Sequence, residues 1–226
     1  MLRQDLTDIF FDLDHTLWDF EKNSQITFNI IFEKHGINID LKSFMGVYKP
    51  VNLKYWDLYR NNKIDSENLR FYRLKEVFDT LKIKSDKQLI DLIAEEYINN
   101  LSNQVHLFPD AEQTLNYLAT KYRLHIITNG FENVQHKKIK SSKIDHFFET
   151  VTTAEGSGYK KPDKRIFEHA LGKAKTHQSK SLMIGDSLEA DIQGAKDFGM
   201  PAIYFGKKPN FDVDYVEHLK DLKTVL

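Results

Sequence analysis

Asp12-Leu13-Asp14 follows directly on the apolar run Ile9-Phe10-Phe11, and Thr16-Leu17 come one residue beyond His15. Side chains two apart on an extended chain face the same way, so Asp12 and Asp14 can converge on one atom. Two carboxylates so placed suit a nucleophile, a proton donor and a cation site. The apolar run that delivers them reads as a buried parallel strand. In open α/β sheets the carboxyl ends of such strands are where ligands bind.

Three later segments bear on whether this pair does chemistry. Thr128-Asn129-Gly130 closes the apolar run Leu124–Ile127. Asn-Gly favours a hairpin turn, but the following Phe131–Lys143 is too polar and too helix-like for a returning strand. A hydroxyl and backbone amides at a strand-to-helix junction make an anion seat. Lys160-Lys161-Pro162-Asp163 stands before a helical pattern carrying Ile166 and Phe167. A basic pair in a polar loop is ordinarily solvated, and proline at a helix start is common. An ammonium fixed near a phosphate would nonetheless neutralise charge that the acids repel. Gly185-Asp186-Ser187-Leu188-Glu189-Ala190-Asp191 follows the run Leu182–Ile184. Its acids either complement a helix dipole or supply hard oxygen ligands to Mg²⁺.

Other chemistries fail on spacing. A serine nucleophile elbow at Ser187 has Glu189 where its second glycine belongs. A calcium loop opening at Asp12 has Leu17 at the glycine position and Asn23 in place of the closing glutamate. The nine histidines show no metal-ligand spacing. Lys137, Lys138, Lys140 and Lys143 read as a solvated helix face rather than a nucleic-acid surface.

The elements that must position these residues alternate. Strand candidates are Ile9–Phe11, Leu124–Ile127, Leu182–Ile184 and Ala202–Phe205. Between the later ones lie two apolar helix faces, Ile166/Phe167/Ala170/Leu171/Ala174 and Ile192/Ala195/Phe198, the second stopped by Gly199-Met200-Pro201. This alternation predicts an α/β fold with a doubly wound parallel sheet. From about Trp18 to Asn100 the pattern is instead all helical, roughly 21–35, 50–61, 66–81 and 86–101. Apolar positions there include Ile26, Ile30, Ile31, Leu53, Trp56, Tyr59, Leu69, Tyr72 and Leu74, with Gly36, Gly46 and Pro50 as punctuation. The expected organisation is a catalytic core of 1–17 and 101–226 with an inserted helical cap of 18–100.

Composition narrows the setting. The chain has 226 residues, 41 % hydrophobic with 16 Phe, enough for a real core. A net charge of −1 offers no global attraction to nucleic acid or an anionic membrane. With no cysteine there are neither disulfides nor thiolate metal sites. No apolar stretch spans a bilayer, and Met1-Leu2-Arg3-Gln4-Asp5 meets acid before a signal-like core can form. A cytoplasmic protein without membrane association or an obligate protein partner is expected.

Together, Asp12-x-Asp14-x-Thr16, Thr128, Lys161-Pro162 and Gly185-Asp186 through Asp191 resemble the haloacid dehalogenase-like superfamily of aspartate-nucleophile hydrolases. The resemblance covers the whole chain, since the helical insertion looks like that superfamily's first-position cap. It implies that Asp12 attacks phosphorus to form an aspartyl-phosphate and that Asp14 serves as acid, then base. It implies Mg²⁺ held by the Asp12 carboxylate, the Asp14 backbone carbonyl and Asp186, with Asp191 close by or acting through water. Thr128 and the Asn129 amide would grip phosphate oxygens, and Lys161 would offset charge and orient Asp12.

Dehalogenases of the superfamily generally lack an acid at the position of Asp14, so phosphomonoester hydrolysis is the favoured reading. No cap lysine can be assigned the Schiff-base role of related phosphonate hydrolases. Ile126–Phe131 and Val47–Asn52 look most like the branch acting on pyrimidine nucleoside monophosphates, although His15 departs from the glycine or acid more usual there. Gly130, Phe131, Lys49, Asn52 and Trp56 are then candidate substrate contacts, with helix packing the alternative for Trp56. A sugar-phosphate or phosphoglycolate phosphatase, and a phosphometabolite sensor without turnover, are the competing expectations. In each case the ligand is a small phosphorylated metabolite.

Overall fold

The computed structural model describes residues 5–226; Met1–Gln4, part of the segment read as too polar for a signal, lie outside them. Contacts divide the chain into two compact units, one formed by the chain up to Phe20 and from Val105 onward, the other by Glu21–Gln104.

The first unit is built on a six-stranded, all-parallel sheet. Its strands are β1 (Asp8–Phe11), β2 (Arg123–Thr128), β3 (Phe148–Thr153), β4 (Ser181–Gly185), β5 (Ala202–Phe205) and β6 (Tyr215–Val216), in the order β3-β2-β1-β4-β5-β6. The strand β1 is fully buried between β2 and β4, with Phe11 opposite both Ile126 and Ile184. Helices α5 (Ala111–Ala119), α6 (Glu132–Ser141), a single turn α7 (Ala154–Ser157), α8 (Lys164–Ala174), α9 (Gly194–Phe198) and α10 (Leu222–Val225) belong to this unit. Ile166, Phe167, Ala170, Leu171 and Ala174 of α8 pack with Ile192 and Ala195 in one core cluster. Gly199 ends α9 at φ +88°, a left-handed conformation that costs glycine little.

Two strands escaped the sequence reading. Phe-Glu-Thr-Val-Thr-Thr in β3 carries too much polarity for an apolar-run criterion, because as an edge strand it is only half covered. Two-residue β6 is too short to carry a pattern. Among the described residues no helix is long and apolar enough to cross a membrane.

The second unit is helical: α1 (Phe20–Lys34), α2 (Leu41–Arg60), α3 (Ser66–Thr80) and α4 (Lys87–Leu101). The helix α2 begins nine residues earlier than its expected start and runs through Gly46 and Pro50. Pro50 forfeits the bond to the carbonyl four residues back. The loss is offset by the Asp40 cap on Ser43 N and by a buried stripe of Phe44, Met45, Tyr48, Val51, Asn52 and Tyr59. That stripe leaves Leu53 exposed, as are Ile30 and Tyr72, so three positions expected on apolar faces look outward. Phe28, Phe44, Tyr48 and Tyr97 stack and tilt against one another at 4.4–5.8 Å to form the aromatic interior.

Candidate active site

The ladder of β1 continues one residue past the strand, with Asp12 N donating to Ile184 O at 2.9 Å. This seats Asp12 between the ends of β2 and β4. The chain then folds into a tight turn in which the Leu17 and Trp18 amides both donate to Leu13 O. His15 takes φ +65° within it, which explains why glycine would also suit that position.

Lys161 is the hub below Asp12. It is buried, and its Nζ donates to Asp12 Oδ1 and Ile127 O, both at 2.6 Å, and pairs with Asp191 Oδ1 at 2.7 Å. Burial pulls its ammonium down, but the Asp12 and Asp191 carboxylates outweigh that and hold it above its ordinary value. Burial pushes the Asp12 carboxyl up to about 7, Lys161 opposing the rise and Asp191 adding to it. Asn129 fixes the lysine's backbone in turn: its Nδ2 donates to Lys161 O at 2.9 Å and its Oδ1 accepts from Lys161 N at 2.7 Å. The Asn129 side chain is therefore committed to the Lys161 loop, and the Lys161–Pro162 peptide bond is cis.

Asp186 and Asp191 enter from the end of β4. Asp191 lies in a wide helical turn (Leu188–Gln193) that leads into α9, and its Oδ2 accepts from Ser187 N at 2.9 Å. A side chain on Gly185 would collide with the Asp191 carboxylate, so this glycine answers a close approach. Thr16 Oγ1 donates to Asp186 Oδ1 at 3.3 Å, tying the motif after β1 to the one after β4. One carboxylate oxygen from each of Asp12, Asp186 and Asp191 lies within 4.8 Å of the others. Burial, then the neighbouring Asp12 and Asp191, holds the Asp186 carboxyl well above its ordinary range. Three carboxylates around one ammonium leave an excess of negative charge, and hard oxygen donors at this spacing suit a divalent cation.

Thr128 closes β2. Its Oγ1 accepts from Gly130 N at 3.2 Å and from Gln135 Nε2 at 2.8 Å. Gly130 is required because a Cβ there would overlap the Gln135 side chain. Phe131 caps α6 and is buried. From the same helix Lys138 reaches Asp14, its Nζ 2.7 and 2.8 Å from the two carboxylate oxygens. Lys138 is only 2 % exposed and sits 4.3 Å from the centroid of the Trp18 ring.

This corrects the reading of four solvated lysines: Lys137, Lys140 and Lys143 are exposed, Lys138 is not. Run-counting missed it because the lysines blur the helix register. Steps of four, three and one from Phe131 through Gln135 and Lys138 to Ile139 mark the inward face. Gln135, fully buried and in contact with both Thr128 and Asp14, was missed with it.

The structure thus brings Asp12, Asp14, Thr128, Asn129, Gly130, Phe131, Lys161, Asp186 and Asp191 together at the carboxyl ends of β1, β2 and β4 and the loop before α8. The three remaining candidates, Lys49, Asn52 and Trp56, belong to the helical unit. Lys49 forms a surface ion pair with Glu21 at 2.5 Å. Asn52 is buried, its Oδ1 accepting from Arg73 Nη1 at 2.9 Å and from the Tyr48 hydroxyl at 3.3 Å. Trp56 is half-buried with its ring edge-on to Tyr59.

Comparison with known proteins agrees with this architecture. The chain is 28 % identical over 224 residues to pyrimidine 5'-nucleotidase YjjG of Escherichia coli, covering 95 % of this chain and 96 % of the relative. It is 30 % identical over 224 residues to the glyceraldehyde 3-phosphate phosphatase of Pyrococcus furiosus, covering 96 % and 89 %. The HAD-hydrolase YfnB of Bacillus subtilis, solved bound to magnesium, superposes with a TM-score of 0.89 at 23 % identity over 98 % of this chain and 99 % of that one. The family model of haloacid dehalogenase-like hydrolases matches residues 9–205, from β1 to the last residue of β5, and the chain belongs to that family.

Proposed function

We propose that this hydrolase cleaves phosphomonoesters through an aspartyl-phosphate, with pyrimidine nucleoside monophosphates as its substrates. The observation that carries the chemistry is the pairing of Asp12 and Asp14, each held by a buried lysine at the sheet's carboxyl edge. An Asp12 oxygen attacks phosphorus, the ester P–O bond breaks, and the leaving oxygen takes its proton from Asp14. Asp14 then accepts a proton from the water that attacks the aspartyl-phosphate, releasing phosphate and restoring Asp12. The Thr128 hydroxyl and the Asn129 backbone amide hold the phosphoryl oxygens, and Lys161 keeps Asp12 aimed. Phosphoryl transfer needs chiefly positioning and charge stabilisation, which such a cradle supplies.

The donor set fits Mg²⁺, which the Asp12 carboxylate, the Asp14 carbonyl and Asp186 would hold, with Asp191 beside them. A bound Mg²⁺ would offset charge on the phosphoryl oxygens and among the clustered carboxylates. The nucleotidase reading draws on the similarity to the E. coli nucleotidase across nearly the full length of both chains. The Pyrococcus relative supports a second reading, a phosphatase of small sugar phosphates. A cytoplasmic setting fits a chain without cysteine.

The deciding experiment is phosphate release with and without Mg²⁺ across nucleoside monophosphates, glyceraldehyde 3-phosphate, other sugar phosphates and phosphoglycolate, with Asp12→Asn alongside. Metal-dependent release concentrated on pyrimidine monophosphates supports the proposal in full. Faster turnover of sugar phosphates removes the nucleotidase assignment and keeps the chemistry. Tight binding without turnover above the Asp12→Asn protein replaces the enzyme by a sensor.

A further inference from the structure

We propose that Lys138 and Gln135 are positioning residues that hold the carboxylate of Asp14 in register with the phosphate seat. The inference rests on the reading of Asp14 as the acid and base of the reaction. An ammonium placed 2.7 and 2.8 Å from both oxygens of one carboxylate fixes its rotation as well as its place. Lys138 is kept from swinging away by the Trp18 and Phe20 rings, with centroids 4.3 and 5.5 Å from its Nζ. The Gln135 amide supplies the second constraint. Its Nε2 lies 3.0 Å from Asp14 Oδ2 and 2.8 Å from Thr128 Oγ1, so one buried donor links the carboxylate to the hydroxyl at the end of β2. Both residues project from the inward face of α6. A short helix thereby sets the distance between the group that handles protons and the group that holds the phosphoryl oxygens. Small displacements of a reacting group cost on the order of 100-fold in rate, so such a clamp has a measurable consequence.

The test compares Lys138→Met, Lys138→Arg, Gln135→Met and Asp14→Asn with the parent enzyme in Mg²⁺, on p-nitrophenyl phosphate and on a pyrimidine nucleoside monophosphate. The p-nitrophenolate group departs without a proton, whereas the nucleoside 5'-oxygen needs one. Lys138→Met should lose roughly tenfold to a hundredfold in kcat on the nucleotide, with KM little changed. On p-nitrophenyl phosphate it should release a burst of p-nitrophenol matching the enzyme concentration, followed by slow turnover, because the water-activating step is impaired. Lys138→Arg should recover much of the rate, and Gln135→Met should show a smaller loss of the same kind. Asp14→Asn/Lys138→Met should be no slower than Asp14→Asn alone.

An equal fall on both substrates without a burst overturns the proposal, as does a change confined to KM or additive losses in the double variant. If Lys138→Met fails to fold, Lys138→Arg and Gln135→Met carry the test, and parent-like kinetics in Gln135→Met with no recovery in Lys138→Arg count against it. If Asp14→Asn itself turns over normally, the underlying reading of Asp14 is what fails. If Asp14→Asn is impaired while Lys138→Met is not, only the positioning role falls.

Discussion

Each unit of the molecule buries a cation, and the two are accommodated in opposite ways. In the sheet unit, Lys161 lies between the carboxylates of Asp12 and Asp191 with the Ile127 carbonyl as a third acceptor. In the helical unit, Arg73 is 1 % exposed, and among the described residues no carboxylate pairs with it. Its Nη1 donates to Asn52, its guanidinium faces the Tyr97 and Tyr48 rings at 5.0 and 6.0 Å, and its Nε and Nη2 have no hydrogen-bond partner. Partial charges on an amide and two ring faces stand where the sheet unit places full charges. Removing Lys161 therefore orphans two buried acids, whereas removing Arg73 orphans none. The sheet unit holds its charges in mutual dependence; the helical unit holds a single charge in polarisable surroundings.

The largest effect tests the sheet unit at its reacting atom. Asp12→Asn keeps the shape of the side chain but takes away the anion proposed as the nucleophile, and kcat should fall by about four orders of magnitude or more. Phosphate release in single-turnover conditions measures this, and residual activity near the parent level would remove Asp12 from its role. Next comes Lys161→Met. Breaking a buried pair by removing one partner costs about 3–5 kcal/mol, and urea unfolding of the metal-free protein should show a loss of that order. Mg²⁺ should return part of the loss, since another cation then faces the same acids.

Legibility in the sequence follows the same division. Asp12, Asp14, Asp186 and Asp191 could be picked out as candidates because parallel strands buried on both faces announce themselves as apolar runs, and these four stand at or near the ends of β1 and β4. Lys161 was legible instead from the Lys-Pro step before the helical pattern of α8. Edge strand β3 has no such run and stayed hidden. Lys138 and Gln135 stayed hidden for another reason: their partners are 124 and 121 residues away, and their helix stripe is broken by polar neighbours. In the helical unit α2 defeated the punctuation rule, because a buried stripe and an Asp cap outweighed Pro50. Asn52 and Arg73 could be named as polar residues, but their meeting, 21 residues apart on different helices, depends on packing that no local pattern encodes.

A smaller effect sharpens the comparison through charge rather than pairing. Ligand present at 100 times its dissociation constant stabilises a folded protein by about 2.7 kcal/mol. Mg²⁺ should do so here, and Asp186→Asn should lose most of that gain while making the metal-free protein more stable than the parent. The sign follows from the carboxyl of Asp186, raised by burial and by Asp12 and Asp191 above its ordinary 3.8. Above that ordinary value the ionised group is favoured in the unfolded chain, so it lowers stability, most of all at alkaline pH. As pH falls through the folded value and then below 3.8, the group is protonated in both states and the penalty disappears. Denaturation midpoints of the two proteins from pH 9 downward should therefore converge in acid; a gap that widens in acid would contradict the assignment.

The smallest effect is the one that could break the contrast between the units. Arg73→Met removes the helical unit's cation and replaces its stem with an apolar chain of similar reach. Asn52 Oδ1 retains the Tyr48 hydroxyl as a donor, and no acid is left unpaired. The guanidinium donors that had no partner disappear with the charge, and such unsatisfied groups cost roughly 1–3 kcal/mol each when buried. Against this stand the lost attraction to the Tyr97 and Tyr48 faces, about 0.5–2 kcal/mol each, and the lost charged hydrogen bond to Asn52, about 1.5–3 kcal/mol. The two sides nearly cancel, so unfolding of Arg73→Met should lie within about 1 kcal/mol of the parent, on either side. A loss comparable to that of Lys161→Met would mean that Arg73 is compensated as fully as Lys161. The difference between the units would then lie in which groups compensate the charge, aromatic faces and an amide matching two carboxylates.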